Sequence, residues 1–328
     1  MDFLAEYGVF AAKFLTVIIA ITAALAFLAT LSSRNRQSGA ESLSVRKLSG
    51  TFEKMGERLR QETLPEADRK KARKAARKAA KTREKQARPR VFVLRFDGDI
   101  RASGVNRLRQ EVTAVVQVAD ENDEVVVLVE SGGGTVHGYG LAASQLKRFR
   151  DRRIPLTVCV DKVAASGGYM MACVGNRILA APFAIIGSIG VVMQLPNFNR
   201  FLKANNIDFE MVTAGEHKRT LTFFGENTDE GREKVREELE QAHDLFKRFI
   251  TECRPDVDIE RVATGEHWFG AQALALKLVD EIRTSDDYLV ARSADCDVFE
   301  VSYRGKPTLL ERLTNQGTEA MARILGKL

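Results

Sequence analysis

The pattern of apolar and polar positions changes character several times along the chain, and each change predicts a different kind of element. The first regime is uniformly apolar. Phe14 to Leu31 (FLTVIIAITAALAFLATL) carries no charge, and Gly8-Val9-Phe10-Ala11-Ala12 extends it on the far side of Lys13. At roughly 1.5 Å per residue the run just crosses a hydrocarbon core of about 30 Å. A cleaved signal peptide has a shorter apolar region and a basic start, whereas this chain begins with Asp2 and Glu6. The reading is an uncleaved N-terminal membrane anchor over residues 1–33.

Residues 34–88 are polar and basic, and include Arg69-Lys70-Lys71-Ala72-Arg73-Lys74-Ala75-Ala76-Arg77-Lys78. Alanine and basic residues in blocks favour helix but provide no apolar stripe for packing. This segment is read as a solvated connector. It lacks the aromatic interleaving of a nucleic-acid tail, so no nucleic acid is expected, and anionic lipid headgroups suit it better as a partner. Pro89 marks its end.

From Arg90 the pattern becomes an alternation of short apolar runs and amphipathic stretches. Val91–Phe96, Glu124–Val129 and Leu156–Val160 read as strands, Gly104–Val118 and Tyr139–Phe149 as helices. Such repetition predicts an α/β domain with a mainly parallel sheet, whose ligand sites lie at the carboxyl ends of strands. Arg177–Ala181 and Ala184–Val192 also read as buried strands; Pro182, Gly187 and Gly190 and the shortness of the run argue against a second membrane span. Further on, Phe209–Val212 reads as a strand. Asp229–Cys253 reads as a long helix with Val235, Leu239, Ala242, Phe246 and Phe249 on one side. Gly265–Gly270 opens a helix running through Leu274 to Val279, and a charged helix starts at Leu309.

Composition adds that the chain is an ordinary folded protein, with 45% hydrophobic and 29% charged residues. Most of the net charge of +6 comes from the connector, so it says little about the folded part. Cys159, Cys173, Cys253 and Cys296 are scattered, with no C-x-x-C, and His137, His217, His243 and His267 show no ligand spacing. Neither a metal site nor a disulfide framework is expected, and no cofactor is required.

The candidate chemistry centres on Ala164-Ala165-Ser166-Gly167-Gly168-Tyr169-Met170, where a strand ends and an apolar helix begins. Ser166 falls at the helix N-terminus, where free N–H groups can steady negative charge; a serine there is equally an ordinary N-cap. Glu130-Ser131-Gly132-Gly133-Gly134 follows another strand, and its glycines can turn backbone N–H groups toward an oxyanion. It has no G-x-G-x-x-G frame and no Lys-Ser/Thr after it, so it is not a phosphate loop. A serine nucleophile needs a base, and no G-x-S-x-G elbow is present. Lys218, followed by Leu221, Phe223 and Phe224, is a candidate if burial lowers its pKa, the alternative being an exposed lysine in a charged turn. Ser188, between glycines, also reads as a turn residue.

Taken together, the N-terminal span, the basic connector, Ala-Ser-Gly-Gly-Tyr at 165–169, Gly-Ser-Ile-Gly-Val at 187–191, Gly-x-x-Lys at 215–218 and Gly-Glu-His-Trp at 265–268 resemble the signal peptide peptidase A family of membrane-anchored Ser/Lys proteases, most closely its SohB branch. The separations from Ser166 to Ser188 and to Lys218 resemble those of the family's nucleophile, base-orienting serine and base. The resemblance implies Ser166 as nucleophile, Lys218 as general base and Ser188 as the hydroxyl that holds the lysine amine. It implies the N–H groups of Gly133 and Gly167 as the oxyanion hole. One departure stands out: the branch has Glu-Ser-Pro-Gly-Gly where this chain has Gly132 for the proline. That loosens the loop and leaves either Gly132 or Gly133 to supply the N–H.

The fold implied is ClpP/crotonase-like, with stacked β-β-α units over residues 89–295 and a C-terminal extension over 296–328. The activity implied is a serine endopeptidase acting on signal-peptide remnants or on membrane-associated or misfolded polypeptides, rising with pH as Lys218 loses its proton, in a self-assembling homo-oligomer. The location implied is the cell inner membrane, single-pass. Family analogy puts the catalytic domain on the periplasmic side, whereas Arg34, Arg36, Arg46 and Lys47 after the span put it in the cytoplasm. Two other classes remain open: a catalytically silent membrane scaffold of the same fold, and a crotonase-like acyl-CoA enzyme using the same glycine amides without a serine nucleophile.

Overall fold

The structure, a computed structural model, describes residues 42–84, 88–215 and 218–304. The apolar run at 14–31 and the expected helix from Leu309 lie outside these residues. Among the described residues no helix is long and apolar enough to cross a membrane. Ser44–Ser302 form one compact unit, and the site described below lies within it.

In chain order the elements begin with β1 (Ser42–Lys47), α1 (Leu48–Thr63), α2 (Glu66–Glu84), β2 (Arg90–Gly98), α3 (Val105–Val116), β3 (Glu124–Ser131) and α4 (Val136–Asp151). They continue with β4 (Leu156–Val160), β5 (Val163–Ala165), α5 (Gly167–Ala172), β6 (Arg177–Ala180), β7 (Ile185–Gly187) and α6 (Asn199–Ala204). The last are α7 (Asp229–Cys253), α8 (Ile259–Val262), β8 (His267–Phe269), α9 (Gly270–Ala275), β9 (Glu281–Ile282), α10 (Ser285–Asp295) and β10 (Asp297–Arg304).

The main sheet runs β1-β10-β2-β3-β4-β6-β9, and the pairs from β10 through β9 are parallel. Its central strands are apolar on both faces because both faces are covered, as parallel sheets require. Alternation assigns the faces. Phe92, Leu94, Phe96, Val125, Val127 and Val129 point into the larger core with residues of α3, α4 and α5, while Val91, Val93 and Val126 point the other way, toward Leu48, Tyr288 and Leu289. Each fully buried aliphatic side chain contributes about 1.5–3 kcal/mol relative to exposure, so shifting any of these strands by one residue would exchange the two cores.

Beyond Val160 the sheet forks. The last residue of β3, Ser131, leaves β4 and pairs with Ala164 of β5; β5 runs parallel to β7, and β7 antiparallel to β8. The fork sets the ends of β3, β5 and β7 side by side, and the candidate site is built on these three ends.

Several expectations are corrected. Ser42–Lys47, expected within the connector, is an edge strand beside β10, held by Arg46–Glu300 at 2.7 Å and Lys47–Asp297 at 2.9 Å. Leu48 and Ser49 after it are buried. The compact unit that holds the sheet starts at Ser44. At the other end, the extension expected from residue 296 begins as β10, which extends the sheet beside β2 from Asp297 opposite Arg90 to Glu300 opposite Val93. Phe209–Val212 is not a strand. Its side chains are exposed, Val212 at 97%, and no described strand lies beside it. It belongs to a long excursion closed on itself by Phe198 N–H to Phe223 O at 2.7 Å and Asn197 Nδ2 to Thr222 O at 2.9 Å. Of Ala184–Val192 only Ile185–Gly187 is strand, and the helix expected to open at Gly265 is preceded by β8 and starts at Gly270.

Candidate active site

Ser166 stands at the junction of β5 and α5, half-buried, with φ +52° and ψ −117°. A non-glycine residue there costs roughly 1–3 kcal/mol, so the surroundings must impose it. They do so from two sides. Its N–H donates to Gly187 O at 2.7 Å, and its own carbonyl accepts from Met170 N–H at 2.9 Å, closing the first turn of α5. The Ser166 side chain makes no capping bond, so the ordinary N-cap role is not the one it plays.

Ser188 is held in the same way. The β5–β7 ladder ends with Ala165 opposite Gly187, so Ser166 and Ser188 are the next residues on adjacent strands. Ser188 has φ +49°, and its N–H donates to Glu266 O at 2.7 Å. Gly187 before it has φ +100°, and a Cβ there would lie 2.7 Å from the Trp268 ring. Of the two serines read from sequence, both occupy left-handed backbone, and they are neighbours.

The glycine loop after β3 closes over Ser166. Gly133 has φ +89°, and a Cβ on it would sit 2.7 Å from Ser166 Cβ and 2.8 Å from Gly167 N. Only glycine fits this approach. Gly167 is buried at the first turn of α5, where backbone N–H groups lack helical partners. The N–H of Gly133 donates to Ser131 Oγ at 3.0 Å, which ties the loop to the end of β3. Among the described residues no acceptor takes the N–H of Gly132 or of Gly134. An open cleft lined by Gly98, Asp99, Ile100, Arg101, Gly132 and Gly133 runs along this loop.

Among the described residues Lys218 makes no hydrogen bond to either serine. It lies exposed on the excursion, its N–H donating to Gly215 O at 3.2 Å, and among the described residues its amine makes no hydrogen bond or ion pair. His217 beside it is outside the described residues. The structure thus gathers Ser166, Ser188, Gly133 and Gly167, with Lys218 exposed and, among the described residues, hydrogen-bonded to none of them.

Two residues of this neighbourhood have no signal in the sequence. Ser131 and Tyr139 are 2% and 0% exposed, and their oxygens meet at 2.5 Å. Tyr139 Oη also donates to Asp99 O at 2.8 Å. Burial raises the Tyr139 pKa against the opposing Ser131 hydrogen bond, so the phenol keeps its proton. Asp99, in turn, is held below the ordinary carboxylate range by the N–H and hydroxyl of Ser103. Among the described residues no three His, Cys, Asp or Glu side chains gather into a metal-binding group.

Comparison with known proteins bears on this arrangement. The model of the peptidase family S49 N-terminal region matches residues 2–146, and that of peptidase family S49 matches residues 148–298. A probable protease SohB of Haemophilus influenzae is 45% identical over 338 aligned positions, covering 99% of this chain and 96% of its own. A probable protease SohB of Buchnera aphidicola subsp. Schlechtendalia chinensis is 46% identical, covering 89% of this chain and all of its own. Among solved structures, a mutant of the 1510-N membrane-bound stomatin-specific protease aligns over 63% of this chain and 86% of its own at 13% identity and a TM-score of 0.42. A mutant ClpP1 from Listeria monocytogenes aligns over 62% of this chain and 94% of its own, also at 13% identity, with a TM-score of 0.39. The two family matches leave little of the chain uncovered and the SohB proteins align nearly end to end, so this chain belongs to peptidase family S49, in its SohB branch.

Proposed function

We propose that the protein is a membrane-anchored serine endopeptidase in which Ser166 is the nucleophile. The observation that carries the reading is Ser166 itself: a non-glycine residue held at φ +52° where a strand meets a helix, with Gly133 packed against its Cβ. Strain of this kind clusters at active sites. The hydroxyl oxygen attacks a peptide carbonyl, and Lys218 takes its proton. Ser188 steadies the lysine amine. Backbone N–H groups of the 131–134 loop and of Gly167 hold the oxyanion, and water releases the acyl-enzyme.

The remaining parts of the reading rest on sequence. Residues 14–31 anchor the chain in the inner membrane by a single pass, with the side of the catalytic domain open. The substrates are signal-peptide remnants or membrane-associated or misfolded polypeptides. The domain is ClpP/crotonase-like. Self-assembly is supported by apolar side chains exposed on the excursion that carries Lys218, among them Val192, Phe201 and Val212 at 77%, 65% and 97%.

One observation favours a second reading, a catalytically silent scaffold: Lys218 is exposed and, among the described residues, makes no hydrogen bond to Ser166. Digestion of an unfolded polypeptide by the wild type, Ser166→Ala and Lys218→Ala separates the two. The peptidase reading expects cleavage only by the wild type, and the scaffold reading expects none by any form.

A further inference from the structure

The resting hydrogen bonds behind the site run in one direction. Tyr139 has a single proton, which it gives to Asp99 O at 2.8 Å. The 2.5 Å contact with Ser131 is therefore made by the Ser131 hydroxyl, donating to Tyr139 Oη. Ser131 Oγ in turn accepts the N–H of Gly133 at 3.0 Å. Both hydroxyl oxygens give and receive, so the geometry is set from Asp99 through to the glycine loop.

The same two residues also form the floor beneath the helix that carries the nucleophile. A Cβ on Gly167 would fall 2.3 Å from Tyr139 Cγ, and one on Gly168 would fall 2.5 Å from Ser131 O and 3.2 Å from Ser131 Cβ. A Cβ on Gly98 would fall 2.4 Å from Tyr139 Oη and 2.5 Å from Ser131 Oγ. Three glycines from two parts of the chain thus leave room for one tyrosine–serine pair. One side of the pair is bonded to the loop that faces Ser166, and the other is in contact with the two residues that follow Ser166. Tyr139 is fixed in turn by its edge-on contact with Phe96, with ring centroids 6.1 Å apart.

We propose that Tyr139 and Ser131 are positioning residues that set the distance between the Ser166 hydroxyl and the amide donors of the 131–134 loop. The inference rests on the reading of Ser166 as nucleophile. Neither residue reaches the reacting atoms; both act through the backbone of Gly133 and Gly167. Because a misplacement of about 1 Å at a reacting centre costs on the order of 100-fold in rate, loss of the pair appears in the chemical step rather than in binding.

The test uses the full-length protein in detergent micelles and a fluorophosphonate probe. In that reaction the serine oxygen bonds to phosphorus, fluoride leaves with the serine proton taken up by the base or solvent, and the phosphonyl oxygen occupies the place of the oxyanion. The constants kinact and KI are measured separately, with thermal melting as the check on folding. Tyr139→Phe keeps the ring and removes only the hydroxyl, and is expected to lower kinact about tenfold with KI within about twofold. Ser131→Ala, which removes the tether of the loop at Gly133, is expected to lower kinact by about tenfold to 100-fold. Should Ser131→Ala not fold, Tyr139→Phe decides alone. An unchanged kinact in a variant that melts cooperatively, or a loss confined to KI, overturns the proposal while Ser166→Ala remains unlabelled. Labelling of Ser166→Ala at the wild-type rate overturns the underlying reading instead.

Discussion

Gly133 faces Ser166 so closely that a methyl group on its Cα would lie 2.7 Å from Ser166 Cβ. It also has φ +89°, in the left-handed region where an L side chain costs about 1–2 kcal/mol. Gly133→Ala is therefore expected to lower peptidase activity about 100-fold, by displacing either the loop or the nucleophile. A methyl group on Gly132 would meet nothing within 4 Å, and its backbone is not left-handed. Gly132→Ala is expected to keep activity and to gain about 0.4–1 kcal/mol from a stiffer unfolded chain, as read by urea denaturation. Equal losses in the two variants would contradict this account of the loop.

Ser188 depends on Gly187 in a similar way, and the protein carries its own reporter. The chain has a single tryptophan, Trp268, whose ring lies 2.7 Å from where a Gly187 Cβ would be. Gly187→Ala must push that ring aside or break the pairing of β7 with β8. A shift of tryptophan emission accompanied by loss of activity is the expected pair of results. Unchanged emission would show that the strand end absorbs the methyl without moving.

At the start of β3, Asp123 is 4% exposed and accepts from Arg90 Nε at 2.9 Å, Arg90 N at 3.0 Å and Asp120 N at 3.0 Å. Burial pushes its pKa up, but these bonds, led by the Arg90 side chain, hold it below the ordinary aspartate value. A depressed carboxyl contributes stability that is complete above its unfolded pKa and is lost as pH falls through its lower folded pKa. Asp123→Asn is expected to cost about 2 kcal/mol near neutral pH. Its deficit against the wild type should shrink as pH drops below the aspartate range, measured by urea unfolding across pH. A deficit independent of pH would contradict the assignment.

The cysteines differ sharply in surroundings. Cys253, at the end of α7, is half-buried and is pulled down from the usual thiol value, chiefly by the neighbouring Cys173 side chain and also by the Arg150 charge, against the effect of burial. Burial pushes Cys173 and Cys159 up. Iodoacetamide should therefore alkylate Cys253 first near neutral pH and leave Cys159 and Cys173 untouched until unfolding. Mass spectrometry of the time course reads this directly, and early labelling of Cys159 would contradict it.

The central strands and the serine motif were legible because their signals are local. Val91–Phe96 and Glu124–Val129 are apolar with few interruptions, the mark of a strand covered on both faces, and Ser166 sits where such a pattern gives way to glycines and a helix. β1 was not legible, since it is exposed along its whole length and is tied by Arg46 and Lys47 to acids about 250 residues away. Phe209–Val212 has the composition of a strand and no described neighbour to pair with, and local preference does not contain that information. The role of Ser131 was hidden for the same reason: its partner Tyr139 lies in what reads simply as the first turn of an amphipathic helix. Lys218 was a candidate through the apolar Leu221, Phe223 and Phe224 after it as well as through the resemblance, and its exposure is a tertiary outcome that neither signal contains.

The most direct test of the central claim is mass spectrometry of an unfolded polypeptide incubated with the full-length protein and with its Ser166→Ala form, in lipid and across pH. The account predicts new peptide termini with the wild type and none with Ser166→Ala. Identical cleavage by the two forms would contradict it, since the strained serine would then have no part in the chemistry.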